Sequence, residues 1–541
     1  MQNRFRLLAA LSLLGALAAL PACNDDFLTE VPSDFVAPQN FYRNQGDALA
    51  AVNAAYASFI NLPSPYSSSD YVGRNFWMVA EYPTEVVTSR LSAANERSQV
   101  DNYHSQFSSS HPYLLGIWQS AYAGINRANT VLARVPTVPM DATRRDQILA
   151  EAKFLRALHY YWLAGLFGGV PLRLEETLVL DGGDLPRATA RETWDQIIKD
   201  LTEAAAVLPT SWPAGDFGRA TKGAALTLLG KARLQAGQTL ASTPDIQAAS
   251  EAFATVRGLG YTLEPGTKYG SLFDGSNEQS PEIIFSLQNV RVDGYGGRIT
   301  EWFSPVTSPQ IFQAGAQNQF QAERVFYDSY NTKDVRKAAT WLTTFQNRGK
   351  TITWAWADSF MVKDTVYGST GPVPRKYLDL AAPDGGAEAP DVVLFRYADV
   401  LLSSAEAINE LSGPSAAYTL VNEVRARAGL PNLTPGLSKD AFRDSLFLER
   451  RYELALEMHG IFDNRRNWTW SKKRLEETMT SISTKNRTPN TSSTTKFNAA
   501  PLNEKWKLYP IPVRACELNP LLTQNPGWVD GICKTPAPAT P

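Results

Sequence analysis

Apolar residues recurring at alternating spacings of four and three, in segment after segment, leave this 541-residue chain the fewest options. Leu114, Trp118, Ala121, Ile125, Ala128 and Leu132 fall on one stripe of a 3.6-residue helix. Ile148, Ala152, Leu155, His159, Trp162 and Leu166 form a second stripe. Trp194, Ile198, Leu201, Ala205 and Leu208 form a third, which Pro209 stops. The stretch Ala220 to Ala236 repeats the pattern through Ala225, Leu229 and Ala232, where small side chains let a neighbouring helix come close. Tyr397, Leu401, Ser404, Ile408 and Leu411 make another stripe. Tyr418 to Ala428 follows it, with Gly429 as its C-terminal stop. Helices of this length joined by short connections are expected to pack as antiparallel pairs.

Between about Pro265 and Pro390 the stripes shorten, and Gly, Pro, Asn, Asp and Ser rise. Pro281 to Leu287 reads as a short strand and Asp293 to Gly297 as a turn. An irregular stretch this long inside a helical chain is usually a binding surface or a mobile segment. Aromatic residues make up 11% of the chain, with 13 Trp and 21 Tyr, more than a core alone asks for. Some of those rings are therefore expected at a working surface. Thr478 to Ala500 and Lys534 to Pro541 read as irregular segments without chemistry.

At the amino end, Arg4 and Arg6 precede an apolar run from Leu7 to Leu20, and Leu20-Pro21-Ala22-Cys23 follows. A helix of that length spans roughly 21 Å, too short for a bilayer core of about 30 Å, so the run reads as an export signal. A Cys at the cleavage position resembles a bacterial lipobox, which makes Cys23 the expected site of lipidation and residues 1–22 the removed signal peptide. Cys516 and Cys533 are then the remaining cysteines. In a chain that leaves the cytoplasm, a disulfide between them and two free thiols both fit the sequence.

Several function classes lose ground. Lys and Arg number 52 against 54 Asp and Glu, a formal net charge of −2, so no basic excess exists to neutralise phosphates and no nucleic-acid partner is expected. The four histidines, His104, His111, His159 and His459, have no metal-ligand spacing, and His159 sits on an apolar stripe as a core residue would. No Walker A loop, nucleophile elbow or EF-hand loop is present, and Gly294-Tyr295-Gly296-Gly297 lacks the third glycine of a dinucleotide fingerprint. Neither a cofactor nor a metal is expected.

The chain resembles the SusD/RagB-like nutrient-binding outer-membrane lipoproteins in blocks from Cys23 to Trp528. Asp25-Asp26-Phe27-Leu28 follows the lipidated start. Glu151-Ala-Lys-Phe-Leu-Arg-Ala157, Tyr160 and Leu166-Phe-Gly-Gly-Val-Pro-Leu172 form the helix-and-turn signature. Gly218-Arg-Ala-Thr-Lys222, Leu394-Phe-Arg-Tyr-Ala-Asp-Val-Leu-Leu402, Ala405-Glu-Ala407 and Val424-Arg-Ala-Arg-Ala-Gly-Leu430 follow in order. Glu449-Arg-Arg-Tyr-Glu453, Tyr509-Pro-Ile-Pro512 and Gln524-Asn-Pro-Gly-Trp528 complete the set. The pattern departs at Met458 and Gly460, where the family usually carries Gly and Arg, so local charge pairing is expected to be rewired. The motif charges Arg156, Glu406, Arg425, Arg427, Arg450 and Asp463 lie on or beside helices that read as buried. An unpaired buried charge is costly, so they are expected to pair inside the scaffold.

The resemblance implies a mainly α fold: a tetratricopeptide-like helical-repeat scaffold with a large irregular, loop-rich ligand-facing region and few short strands. Residues 23–541 would form one domain, with scaffold at about 40–260 and 391–470, the ligand-facing region at about 265–390 and an irregular C-terminal segment at 471–541. It further implies a surface protein, anchored in the outer membrane by lipid, that passes an oligosaccharide, or as second choice a peptide, to a TonB-dependent β-barrel transporter. Sugar C–H faces stack on aromatic rings while polar side chains meet the hydroxyls, so loop aromatics are the candidate contacts. They are Trp77 with Arg74 and Asn75, then Tyr295, Trp302, Trp354 and Trp356. Two rivals stay open. One is a surface glycosidase with an unrecognised carboxylate pair, the other a helical-repeat adaptor for proteins.

Overall fold

Each of these stripes becomes a helix in the computed structural model, which describes residues 41–59, 71–89, 96–101, 103, 106–177, 183–292, 297–304, 319–347, 350–353, 372–379, 381, 388–485 and 502–535. The helices Pro112–Arg134, Ala142–Phe167, Ala190–Val207, Lys222–Thr239 and Thr243–Arg257 pack in chain order, each against the next. Three of these five have a first turn closed by a side chain, Lys222–Thr239 through Thr221. Asp141 accepts from the Arg144 N–H at 2.8 Å, and Thr189 and Glu192 form a reciprocal capping box. The close approach expected around Ala220 to Ala236 is real: a Cβ on Gly230 would stand 2.5 Å from Phe253 Cε1, so only glycine lets these two helices meet there. The chain then returns through Tyr397–Ser412, which packs on Thr243–Arg257 and on Lys439–Leu454. The result is a mainly α, tetratricopeptide-like scaffold.

The irregular middle is an excursion with its ends tied together. Ile283–Leu287, inside the segment read as a strand, pairs antiparallel with Val392–Arg396, matching Phe285 to Phe395 and Leu287 to Val392. The middle therefore leaves and re-enters the scaffold at one place. Within it lie the short helices Ile299–Phe303, Arg324–Ser329 and Arg336–Thr340 and further two-stranded ladders, more local order than its composition suggested. The C-terminal part also differs from expectation: Trp468–Lys485 is helical, covering the start of a segment read as irregular. One contiguous apolar core runs from Ala48 to Cys533. Cys516 and Cys533 are joined in a disulfide. Among the described residues, no helix is long and apolar enough to cross a membrane. Residues 1–22 and Cys23 lie outside the described residues.

Beneath this core sits a lattice of buried charges. Arg396, the last residue of its strand, is fully buried; it donates to Glu457 Oε2 at 2.6 Å, to Glu282 Oε1 at 2.8 Å and to Glu453. Arg427 joins Glu282 and Glu453, Arg336 reaches Glu449 at 2.6 Å, and Arg425 holds the other oxygen of Glu449 at 2.8 Å. Arg450 and Asp463 make a two-pronged pair at 2.9 Å, Arg466 grips Glu406 at 2.6 and 2.8 Å, and Arg156 forks onto Asp200 at 2.8 Å. All six motif charges are thus paired within the scaffold. Removing one member of such a pair leaves a buried charge alone, typically at a cost of about 3–5 kcal/mol.

The departure at Met458 and Gly460 has a structural consequence. Met458 adopts φ 62°, a left-handed conformation that glycine takes freely and methionine does not. Its backbone N–H donates to Glu81 Oε1 at 2.6 Å. At position 460 a Cβ would meet Thr84 Cγ2 at 2.5 Å, so this chain packs a glycine where a longer side chain has no room. Burial pushes the Glu81 carboxyl up to about 7, against the opposing pull of Arg451 and the Met458 N–H.

Candidate functional site

The cluster where the scaffold meets the irregular middle starts at a single π-helical turn, Tyr71–Asn75, which runs directly into the helix Phe76–Glu81. Such turns widen a helix and often mark functional positions. Three aromatic side chains fix this one to the core. Tyr71 stacks on His159 with centroids 5.7 Å apart, Phe76 meets Trp162 at 4.3 Å, and Trp77 stands edge-on to Phe303 at 5.4 Å and Tyr377 at 5.2 Å. With that face anchored, Gly73 and Arg74 are left only partly buried.

Arg74 meets two aromatic rings from distant parts of the chain. Its guanidinium carbon lies 5.0 Å from the ring centroid of Trp302 and 5.9 Å from that of Tyr113, distances suited to cation–π attraction. Its Nε–H donates to Asn75 Oδ1 at 3.2 Å, which fixes the plane of the group. Tyr113 sits in the first turn of Pro112–Arg134, and burial raises its phenol above the ordinary value against the pull of Arg97 and Arg74. Trp302 rides on Ile299–Phe303 in the irregular middle, where Glu388 caps the start of the helix by accepting from the Thr300 N–H at 2.8 Å and the Glu301 N–H at 3.2 Å. Burial raises the Glu388 carboxyl to about 7, the N–H donors offsetting only part of it. The indole Nε1–H of Trp302 is buried and finds no hydrogen-bond partner among the described residues.

A cavity of about 720 Å³ opens beside the same region, lined by Thr267, Asp274, Arg291, Arg375 and Asp379 among others. Asp379 links it to the Trp302 helix, since its backbone N–H donates to Thr300 Oγ1 at 2.9 Å while its carboxylate pairs with Arg291 at 2.8 Å. Among the described residues, no group of three or more His, Cys, Asp or Glu side chains could hold a metal ion.

The structure thus assembles Arg74, Asn75 and Trp302 from the sequence candidates and adds Tyr113. Sequence reasoning missed Tyr113 because it lies one residue before the first helical stripe; its position next to Pro112 at a helix start was the available signal. Trp77 is corrected. At 1% exposure, its ring is a core element wedged between Phe303 and Tyr377, and it offers no face to a ligand. Its place in a turn-rich stretch with Arg74 and Asn75 pointed to a surface, but every side chain from Asn75 to Glu81 is buried. Tyr295, Trp354 and Trp356 lie outside the described residues. His159 is a satisfied core residue: Nε2 lies 2.9 Å from Ser58 Oγ, its ring stacks 4.0 Å from Phe59, and burial lowers its pKa to about 3.

Comparison with known proteins covers both halves of the chain. The profile of the SusD family matches residues 248–528, and a second profile, described as starch-binding associating with outer membrane, matches residues 66–234. A SusD-like protein of Formosa agariphila is 26% identical over 472 residues, covering 83% of this chain and 88% of its own. The starch-binding protein SusD of Bacteroides thetaiotaomicron is 25% identical over 442 residues, covering 70% of this chain and 72% of its own. A solved SusD homolog from the same organism superposes with a TM-score of 0.76 at 22% identity, over 91% of this chain and 98% of that one.

Proposed function

The chain belongs to the SusD family, and from that premise we propose that it is a cell-surface lipoprotein, acylated at Cys23, that captures an oligosaccharide at the outer membrane. It hands the ligand to a TonB-dependent β-barrel transporter and cleaves no bond. The observation that carries this reading is the cluster of Arg74, Tyr113 and Trp302, gathered from three separate segments where the scaffold meets the irregular middle. Trp302 and Tyr113 are themselves buried, at 5% and 6% exposure, so they hold the guanidinium, whose donor fork meets a sugar's oxygens, and the rings for its C–H face are left to loop aromatics. Support also comes from the second profile, whose description names starch binding and the outer membrane, and from a relative named for starch binding. Tyr295, Trp354 and Trp356 complete the proposed contact set from the same middle region.

The test uses the soluble protein starting after Cys23 on an array of neutral and acidic glycans and peptides, with calorimetry on the hits. Binding of at least one oligosaccharide, without release of reducing ends on prolonged incubation, is the expected result. Reducing-end release would establish a glycosidase instead, and binding of a surface protein with no glycan or peptide hit would establish an adaptor. Tyr295→Ala should weaken the hit while leaving the melting temperature unchanged; unaltered affinity would remove Tyr295 from the set. Co-purification of the full-length lipoprotein with a TonB-dependent barrel from outer membranes tests the delivery step.

A further inference from the structure

Arg74 differs from the scaffold arginines in what it lacks. Arg396, Arg450, Arg466 and Arg156 each grip a carboxylate, and among the described residues no carboxylate stands within ion-pair distance of Arg74. Only its Nε–H is used, on Asn75 Oδ1. Both terminal nitrogens, with four of the five N–H donors of a guanidinium, have no protein partner among those residues. The group is nonetheless held in place, because two aromatic rings and the Nε bond leave it little freedom.

The neighbouring carboxylates are committed elsewhere. Glu301 pairs with Arg298 at 2.9 Å, Glu388 accepts two backbone N–H groups, and Asp101 accepts from Thr88 Oγ1 at 2.9 Å and the Ser89 N–H at 3.1 Å. Glu96 is solvent-exposed. A planar fork, immobilised beside an indole and with its outer edge open, matches a planar carboxylate bidentately. Neutral hydroxyls would use the fork without using the charge.

We propose that the saccharide taken at this site is acidic, with a ring-borne carboxylate, as in a uronic acid, received by the terminal nitrogens of Arg74. This rests on the glycan-binding reading above and names its substrate class. Specificity would then reside in one side chain: Arg74 makes the ion pair, whereas Trp302 and Tyr113 hold Arg74 in position.

The experiment compares oligosaccharides of polygalacturonate and of alginate with their carboxyl-reduced, neutral counterparts, by calorimetry on the unmodified soluble protein. Laminarin, starch and sulfated carrageenan oligosaccharides complete the panel. Carboxyl reduction is expected to weaken binding at least tenfold, and the affinity for the acidic form should fall as salt is raised. Arg74→Gln should remove the preference for the acidic form, with Arg74→Lys intermediate and the melting temperature unchanged in both. Should the variants not fold, the ligand-side comparison on the unmodified protein still decides. Equal affinity for native and reduced forms, or binding confined to laminarin or starch, would overturn the acidic ligand and leave the glycan-binding reading standing. Binding of the sulfated oligosaccharides alone would overturn the carboxylate. Failure of every glycan would overturn both readings.

Discussion

Two sets of buried carboxylates in this molecule titrate in opposite directions. In the scaffold, burial alone would raise Glu453, Glu457, Asp399 and Asp463, but guanidinium and ammonium partners hold all four below the ordinary carboxylate range. At the border of the irregular middle, Glu388 and Asp391 are equally hidden but receive backbone and neutral side-chain donors instead of cations, and burial carries both to about 7. The scaffold uses its arginines against itself. The site region leaves a guanidinium open, and the difference separates charge that holds a fold from charge offered to a ligand.

The sharpest way to break this contrast is at Arg396. Arg396→Met removes the one cation shared by Glu282, Glu453 and Glu457, leaving Arg427, Arg336 and Lys376 to hold them, and a loss of about 3–5 kcal/mol is expected in urea denaturation, enough to prevent folding of a marginal domain. A loss below about 1 kcal/mol would mean that the lattice is not what holds the frame together. Trp77→Ala is expected to cost about 3 kcal/mol, because it empties a packed site between Phe303 and Tyr377. An unchanged melting temperature there would return Trp77 to the list of surface rings.

The pH dependence separates the two regions. Glu388 and Asp391 have folded pKa values above their unfolded ones, so their contribution is full below about pH 4 and is lost as pH rises through about 7. Glu453, Glu457, Asp399 and Asp463 have depressed values, and their contribution is present above about pH 4 and lost on further acidification. Glu388→Gln combined with Asp391→Asn should reduce the decline in stability between pH 5 and pH 8, on the order of 2 kcal/mol, and leave in place both the part that Glu81 contributes and the acid limb. An identical decline in the double variant would sink the assignment. The smallest effect on stability is expected at Arg74: Arg74→Gln should stay within about 0.5 kcal/mol of the parent in the same denaturation assay, as a partly exposed group without an ion-pair partner should.

The helical scaffold was legible because each stripe obeys one short-range rule. Leu114 to Leu132 and Ile148 to Leu166 lie within the helices Pro112–Arg134 and Ala142–Phe167. Local pattern was a weaker guide in the middle. Leu394-Phe-Arg read as part of a motif before a helix, yet Val392–Arg396 is a strand because Ile283–Leu287, over a hundred residues earlier, lies beside it. The motif charges were expected to pair, which burial arithmetic alone suggests, but their partners were not readable: Arg427 meets Glu282 across 145 residues. Of the candidate site, Arg74 and Trp302 were named as members of a list, and nothing in spacing joined them to each other or to Tyr113.

What the sequence determined by itself was whatever repeats over a few residues: helix positions and their buried faces. Only the tertiary structure decided which ring became core and which arginine stayed open. Trp77 and Arg74 are three residues apart on one turn, and their fates depend on what distant segments place against that turn. Phe303 and Tyr377 close over the indole, while among the described residues no carboxylate meets the guanidinium. Side-chain fate depends on long-range neighbours, and a local pattern carries no record of them.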